Sequence, residues 1–276
     1  MTNKILMNSL KPSLVLAITC LMFHGVVSAQ KTKSDRREEK KQRINALAKQ
    51  EEEGVIAFRK QTVFGFKLLN DGYGMFLEIG RAQSVKKSLL FQFELSERKH
   101  PKEEKQSNVV LETAPFVYGK INYFYPMRLG VQQQFLLGNK SNKNGVSVTA
   151  NFGGGLSLGF LRPYYLEISD PNTLGRRNIK YESADSSFFK DNNALMSYYV
   201  TGSRFGVGWN EMKITPGLYL KSALRFDYGR YNEMVNGLEV GLNVDYYTKN
   251  IPQLIFVDPK KLFFNAYITL IFGKRK

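Results

Sequence analysis

A chain of 276 residues can form one large domain or two small ones, and its 20 Phe and 15 Tyr against a single Trp favour strands. The formal charge is +16, and one cysteine excludes an internal disulfide framework. The mean hydropathy of −0.31 would pass for a soluble protein, and after the first segment no stretch approaches the ~20 consecutive apolar residues of a membrane helix.

The first segment, MTNKILMNSLKPSLVLAITCLMFHGVVSAQ, sets Lys4 and Lys11 before an apolar run from Leu14 to Phe23, then Val27-Ser28-Ala29. A cationic start, a short apolar core and a small-residue cleavage site form the pattern of a secretory signal peptide, so residues 1–29 are expected to be removed. The run is too short for a comfortable membrane span. The rival, a lipoprotein signal at Cys20, fits less well because Thr19 stands where Gly, Ala or Ser is expected. Cleavage after Ala29 removes Cys20 and His24, leaving no cysteine, one histidine (His100) and a formal charge of +14. Thiol chemistry and Cys/His zinc sites are thereby excluded.

Residues 30–60 are rich in charge, with only a short stripe of Ile44, Leu47, Ala48, Val55 and Ile56. This composition predicts a solvated helix or disordered leader in the periplasm. From residue 61 to 276 the pattern changes to alternation. Tyr73, Met75, Leu77 and Ile79 face away from Gly74, Phe76, Glu78 and Gly80, and Leu89, Phe91, Phe93 and Leu95 away from Leu90, Gln92, Glu94 and Ser96. Residues 145–161 continue it, with Phe152, Leu156 and Leu158 on one face and Ser157 and several glycines on the other. The last strand sets Phe264, Ile268, Leu270 and Phe272 along a final apolar stripe.

Period-two alternation alone fits a soluble sandwich or a lipocalin-like barrel. Strands this long, a polar face of Gly, Ser, Asn and Gln, and Tyr and Phe gathered near strand ends favour instead an all-β chain: a transmembrane antiparallel β-barrel of 8–10 strands. The seven residues Phe152, Leu156, Leu158, Phe264, Ile268, Leu270 and Phe272 are expected to face lipid. The stretches GLYLKSALRFDYGR, GLEVGLNVDYYTK and NAYITLIFGKRK resemble outer-membrane barrels of the Bacteroidota. In that resemblance Phe272 fills the place of the terminal aromatic read by the barrel-insertion machinery, four residues early.

Candidate strands fall near 61–69, 73–82, 87–97, 116–125, 128–138, 145–161, 196–208, 213–229, 235–248 and 261–273, with hairpin chemistry at 70–72 and 139–145. Ten strands place the long segment 162–195 on the periplasmic side, where turns are short. Eight remain if two candidates, 196–208 first among them, are not strands.

Signs of chemistry are few. His100 lies in ERKHPKEEK, a charged loop, where a Ser-His-Asp arrangement has no support. GNKSNKNG lacks the order of a phosphate loop. Asp170, Asp185 and Asp191 are ordinary loop acids, so neither a metal nor a cofactor is expected. The expected interior gathers acids Glu78, Glu94, Asp227, Glu239 and Asp245 with bases Lys120, Arg128, Lys221 and Arg225. In a narrow lumen such charges should pair into a plugged core. Lys140, Lys143, Arg162, Arg176, Arg177 and Lys180 suit anionic lipopolysaccharide around the rim, and no nucleic acid is expected. The reading is a small outer-membrane barrel, not an enzyme, acting as an accessory or scaffold of an envelope assembly. Its protein partners would meet loops 98–115 and 162–195 or the leader. A narrow solute channel is the alternative, and an outer-membrane hydrolase a further one.

Overall fold

A computed structural model describes residues 33–52, 58–107, 114–139, 145–169, 175–181, 199–202, 204, 206–229 and 233–276. The signal segment, Lys140, Lys143, Asp170, Asp185 and Asp191 lie outside them. The described part of the leader carries a helix, α1 (Lys33–Glu52), whose described side chains are all exposed. No helix among the described residues is long and apolar enough to cross a membrane.

Eight antiparallel strands close into a barrel: β1 (Lys60–Leu69), β2 (Gly72–Ala82), β3 (Lys87–Arg98), β6 (Asn122–Gly138), β7 (Ser147–Pro163), β11 (Lys213–Asp227), β12 (Met234–Ile251) and β13 (Lys260–Arg275). β1 meets β13 from Gln61↔Arg275 to Leu69↔Tyr267, so the sheet has no free edge. Both barrel termini lie at one end, where the Lys60 amide donates to the Lys276 carbonyl at 2.8 Å. That is the terminal end; the opposite one is the loop end.

Among the described residues, five short strands lie outside the barrel: β4 (Lys105–Gln106), β5 (Phe116–Val117), β8 (Tyr165–Ser169), β9 (Arg176–Lys180) and β10 (Tyr199–Gly202). β4 pairs with β5, while β10, β8 and β9 make a three-stranded sheet.

The strand count is eight, and two expectations change. Candidates 116–125 and 128–138 become β6 and the separate β5. Pro126 lies in the gap between these candidates, yet β6 stays paired with β7 through Pro126↔Gly159. Only the other ladder is interrupted, between Leu95↔Met127 and Arg98↔Phe124, where proline has no N–H to donate. Among its described residues, candidate 196–208 supplies only β10, which is not a barrel strand. With one strand fewer before it, segment 162–195 leaves β7 at the loop end, where β3 ends and β6 begins, and not at the terminal end.

The barrel is inverted relative to a soluble protein. Its outward positions carry exposed apolar side chains on every strand, among them Phe66, Ile79, Phe93, Val131, Leu218, Leu242 and Phe264. Its inward positions are polar and almost fully enclosed, with Glu78, Arg128, Asn151 and Glu239 each at 0% exposure. Water on the outside would make this surface very costly, whereas hydrocarbon makes it favourable. Leu156 (59% exposed) and Ile268 (51%) lie midway along their strands. Leu156→Arg or Ile268→Arg should therefore destabilise the barrel in lipid by about 2–4 kcal/mol, measured by urea unfolding from vesicles. Neutral outcomes at both sites would refute a hydrocarbon belt there.

Candidate functional site

The lumen holds one connected charge network. Arg225 on β11 forks onto Glu78 of β2, its Nη1 and Nη2 each donating at 2.8 Å, while its Nε donates to Glu239 of β12 at 2.8 Å. Lys221 completes this layer at 2.8 Å from Glu239. Glu239 also accepts from the Tyr267 hydroxyl at 2.9 Å and the Asn151 amide at 3.0 Å. A carboxylate has about four lone-pair sites, and Glu239 uses them on four different side chains.

The second layer lies nearer the loop end. Arg128 forks onto Asp245 through Nε and Nη2, both at 2.8 Å, and its Nη1 donates to Glu94. Lys67 pairs with the same Glu94. Arg98 reaches Asp245 at 3.3 Å and Asp71 at 2.5 Å. Lys67 also stands 4.0 Å from the centroid of the Tyr267 ring, so one tyrosine touches both layers. The crossing groups need room. At Gly130 a Cβ would fall 2.3 Å from the Tyr219 hydroxyl, so only glycine lets that ring into the lumen.

Of the nine expected lumen charges, seven join these layers. Asp227 is inward but lies at the terminal end, paired with Arg275 at 2.8 Å. Lys120 is not a lumen residue. It sits ahead of β6, buried outside the barrel and 2.5 Å from Glu103, because the strand there begins only at Asn122. Three network members escaped the sequence reading: Lys67, Arg98 and Asp71. Lys67 was visible in principle, since Phe64, Phe66 and Leu68 alternate with it in β1. Arg98 keeps the phase of Glu94 and Ser96. The expected lipid-facing positions are all outward and none is buried, with Leu158 the least exposed.

Apolar side chains flank the network toward both ends. Val63, Phe76, Val235 and Ile271 cluster toward the terminal end. Phe124, Leu161, Tyr247 and Ile251, with Phe263 against them, cluster toward the loop end. Beyond this layer, the loop segments form a head with its own core of Phe116, Val117, Tyr164, Leu166, Ile168, Ile179, Val200 and Leu254. The Val117 amide donates to the Tyr164 hydroxyl at 2.9 Å, and burial pushes that hydroxyl up to about 12.

His100 accepts the Lys102 amide through Nδ1, and partial burial holds its pKa below the usual value. Among the described residues no group of three or more His, Cys, Asp or Glu side chains could hold a metal ion.

Three solved structures are similar to this chain: Neisserial surface protein A (10% identity, TM-score 0.37, 79% of this chain and 97% of that one), the N-terminal β-barrel domain of Pseudomonas aeruginosa OprF (9%, 0.32, 78% and 96%), and Ail, the attachment invasion locus protein of Yersinia pestis (9%, 0.33, 79% and 99%). Identity at this level concerns fold alone. No family model matches the chain, and no curated protein matches it.

Two outcomes test this geometry. Arg225→Ala leaves Glu78 and Glu239 short of their shared cation, and should cost about 3–5 kcal/mol in unfolding measurements. Wild-type stability would show that the network contributes little. In the head, Glu211 accepts from Lys180 and, at 2.5 Å, from the Tyr165 hydroxyl, which hold its pKa below the ordinary 4.5. A lowered carboxylate pKa means the contribution is present above 4.5 and lost as pH falls through the folded value. Emission of the single tryptophan, Trp209, two residues away, should be flat from neutral pH to 4.5 and change only below it. Glu211→Gln should abolish that change.

Proposed function

We propose that this chain is a small outer-membrane β-barrel without enzyme activity, serving as an accessory or scaffold component of an envelope assembly. The supporting observation is the division of labour within the fold. Paired charges fill the lumen, with apolar clusters toward both of its ends, while the elaborated structure lies in a head with a separate hydrophobic core. An eight-stranded barrel is just wide enough for its own side chains, and here large ones occupy it: Arg128, Tyr247, Lys67, Phe76 and Phe124 are fully buried. A narrow channel would need a continuous wet path past these side chains and past the apolar cluster at the loop end.

In this reading the belt meets lipid, the rim meets lipopolysaccharide, and the head meets a protein partner. Arg176 and Arg177 on β9 stay exposed, as a rim contact to anionic headgroups requires. The motif resemblance to Bacteroidota barrels is consistent with this assignment of place.

Purified protein in planar bilayers should show no steady conductance, and Arg225→Ala should lower stability without creating a selective pore. Partner proteins should co-purify from gently solubilised outer membranes. They should be lost with Leu166→Asp, which breaks the head core and spares the barrel's gel shift on heating. Reproducible ohmic conductance, altered in ion preference by Arg225→Ala, would overturn the scaffold reading in favour of a channel.

A further inference from the structure

Arg162 differs from every other buried cation in the barrel strands. It keeps the outward phase of Phe152, Leu156, Leu158 and Phe160 on β7, at the loop end of that strand. Even so it is only 6% exposed, because aromatic rings enclose it. Its guanidinium carbon lies 4.1 Å from the Tyr123 ring centroid, 4.9 Å from that of Trp209 and 5.8 Å from that of Tyr125. Tyr125 and Trp209 stack at 6.1 Å with their planes 17° apart. Rings can satisfy the faces of a guanidinium but not its in-plane N–H groups. Nε and Nη1 of Arg162 donate to no acceptor, and among the described residues no carboxylate pairs with it. The nearby acid, Glu211, is already engaged by Lys180 and Tyr165.

We propose that Arg162 and its aromatic surround form a binding site for the phosphate of a lipid headgroup in the leaflet at the loop end. The inference rests on the membrane reading above. Four features select a lipid as the source. The site lies on the outer wall, it continues the apolar stripe ending at Phe160, its walls are the Tyr and Trp of an interfacial girdle, and its unused donors suit a phosphate edge. Entry requires the Trp209 turn to lift. That turn is three residues long, has no side-chain cap, and follows Gly208 at φ 88°, a conformation that favours glycine. Trp209 itself is 41% exposed.

The test uses full-length protein folded in a phosphate-free maltoside detergent and titrated with diphosphoryl lipid A. Bound lipid is counted by native mass spectrometry, and Trp209 emission is followed in parallel. Saturable one-to-one retention is expected, weakened about tenfold in Arg162→Gln, the equivalent of roughly 1.4 kcal/mol, and less in Arg162→Lys, which keeps charge but loses the fork. Enzymatically dephosphorylated lipid A should not be retained. Inorganic phosphate at the same concentration should neither shift Trp209 emission nor compete. If inorganic phosphate alone binds, the site takes free phosphate and the lipid proposal fails. Equal retention by wild type and Arg162→Gln, both showing the gel shift of a folded barrel, would leave a structural stack only and overturn the site while sparing the membrane reading. A protein that stays monomeric in buffer without detergent would overturn both.

Discussion

Charge neutralisation inside a narrow tube is the constraint on which the rest of this structure depends. An outer wall compatible with hydrocarbon uses every second residue of each strand, so the remaining half must point into a lumen with little water. A polar residue placed there must find its partner across the tube. This chain meets the demand with five cations, Lys67, Arg98, Arg128, Lys221 and Arg225, against Asp71, Glu78, Glu94, Glu239 and Asp245. Arginine dominates because its planar fork can serve two carboxylates at once, as Arg225 does with Glu78 and Glu239.

These pairs also decide the barrel's mechanics. Arg225 on β11 holds β2 through Glu78, and Arg128 on β6 holds β12 through Asp245, so the ties run between strands that share no ladder. A cylinder tied across its width resists flattening in a way that ladders alone do not provide. That rigidity gives the head a fixed base. The head's core can then be small, since its segments leave from strand ends whose positions are already set at Arg98, Asn122, Pro163 and Lys213.

Legibility followed the strength of the physical signal. Alternation over long strands is a demand of the membrane, repeated on eight strands, so the barrel class and the outward positions of Phe152, Leu156, Phe264 and Ile268 could be seen from residue order. Pairing in the lumen is a long-range outcome of closure. Glu78 and Arg225 are 147 positions apart, and alternation shows that both point inward without showing that they meet. Lys120 was misplaced because alternation was carried two residues past the start of β6. β8 and β9 left no strand signal because each is five residues long, too short for a periodic pattern, and their core is assembled from separate segments. β10, by contrast, is a four-residue part of candidate 196–208, which was expected in the barrel.

The same alternation sets the height of the belt. On β13 the outward side chains from Leu262 to Phe272 are apolar, and the next outward positions on either side are Lys260 and Lys274. Ten residue steps at about 3.4 Å span roughly 34 Å along the strand, and a tilt of about 35–45° reduces this to roughly 25 Å of height. That is the apolar height of a transmembrane β-barrel. An outward cation costs least at the interfaces, with a penalty falling to about 0–1 kcal/mol there, so Lys260 and Lys274 mark where hydrocarbon ends. Arg162 holds the corresponding position at the loop end of β7, directly beyond Phe160. Its surround of Tyr123, Tyr125 and Trp209 is therefore the local form of a boundary that β13 draws at that end with Lys260.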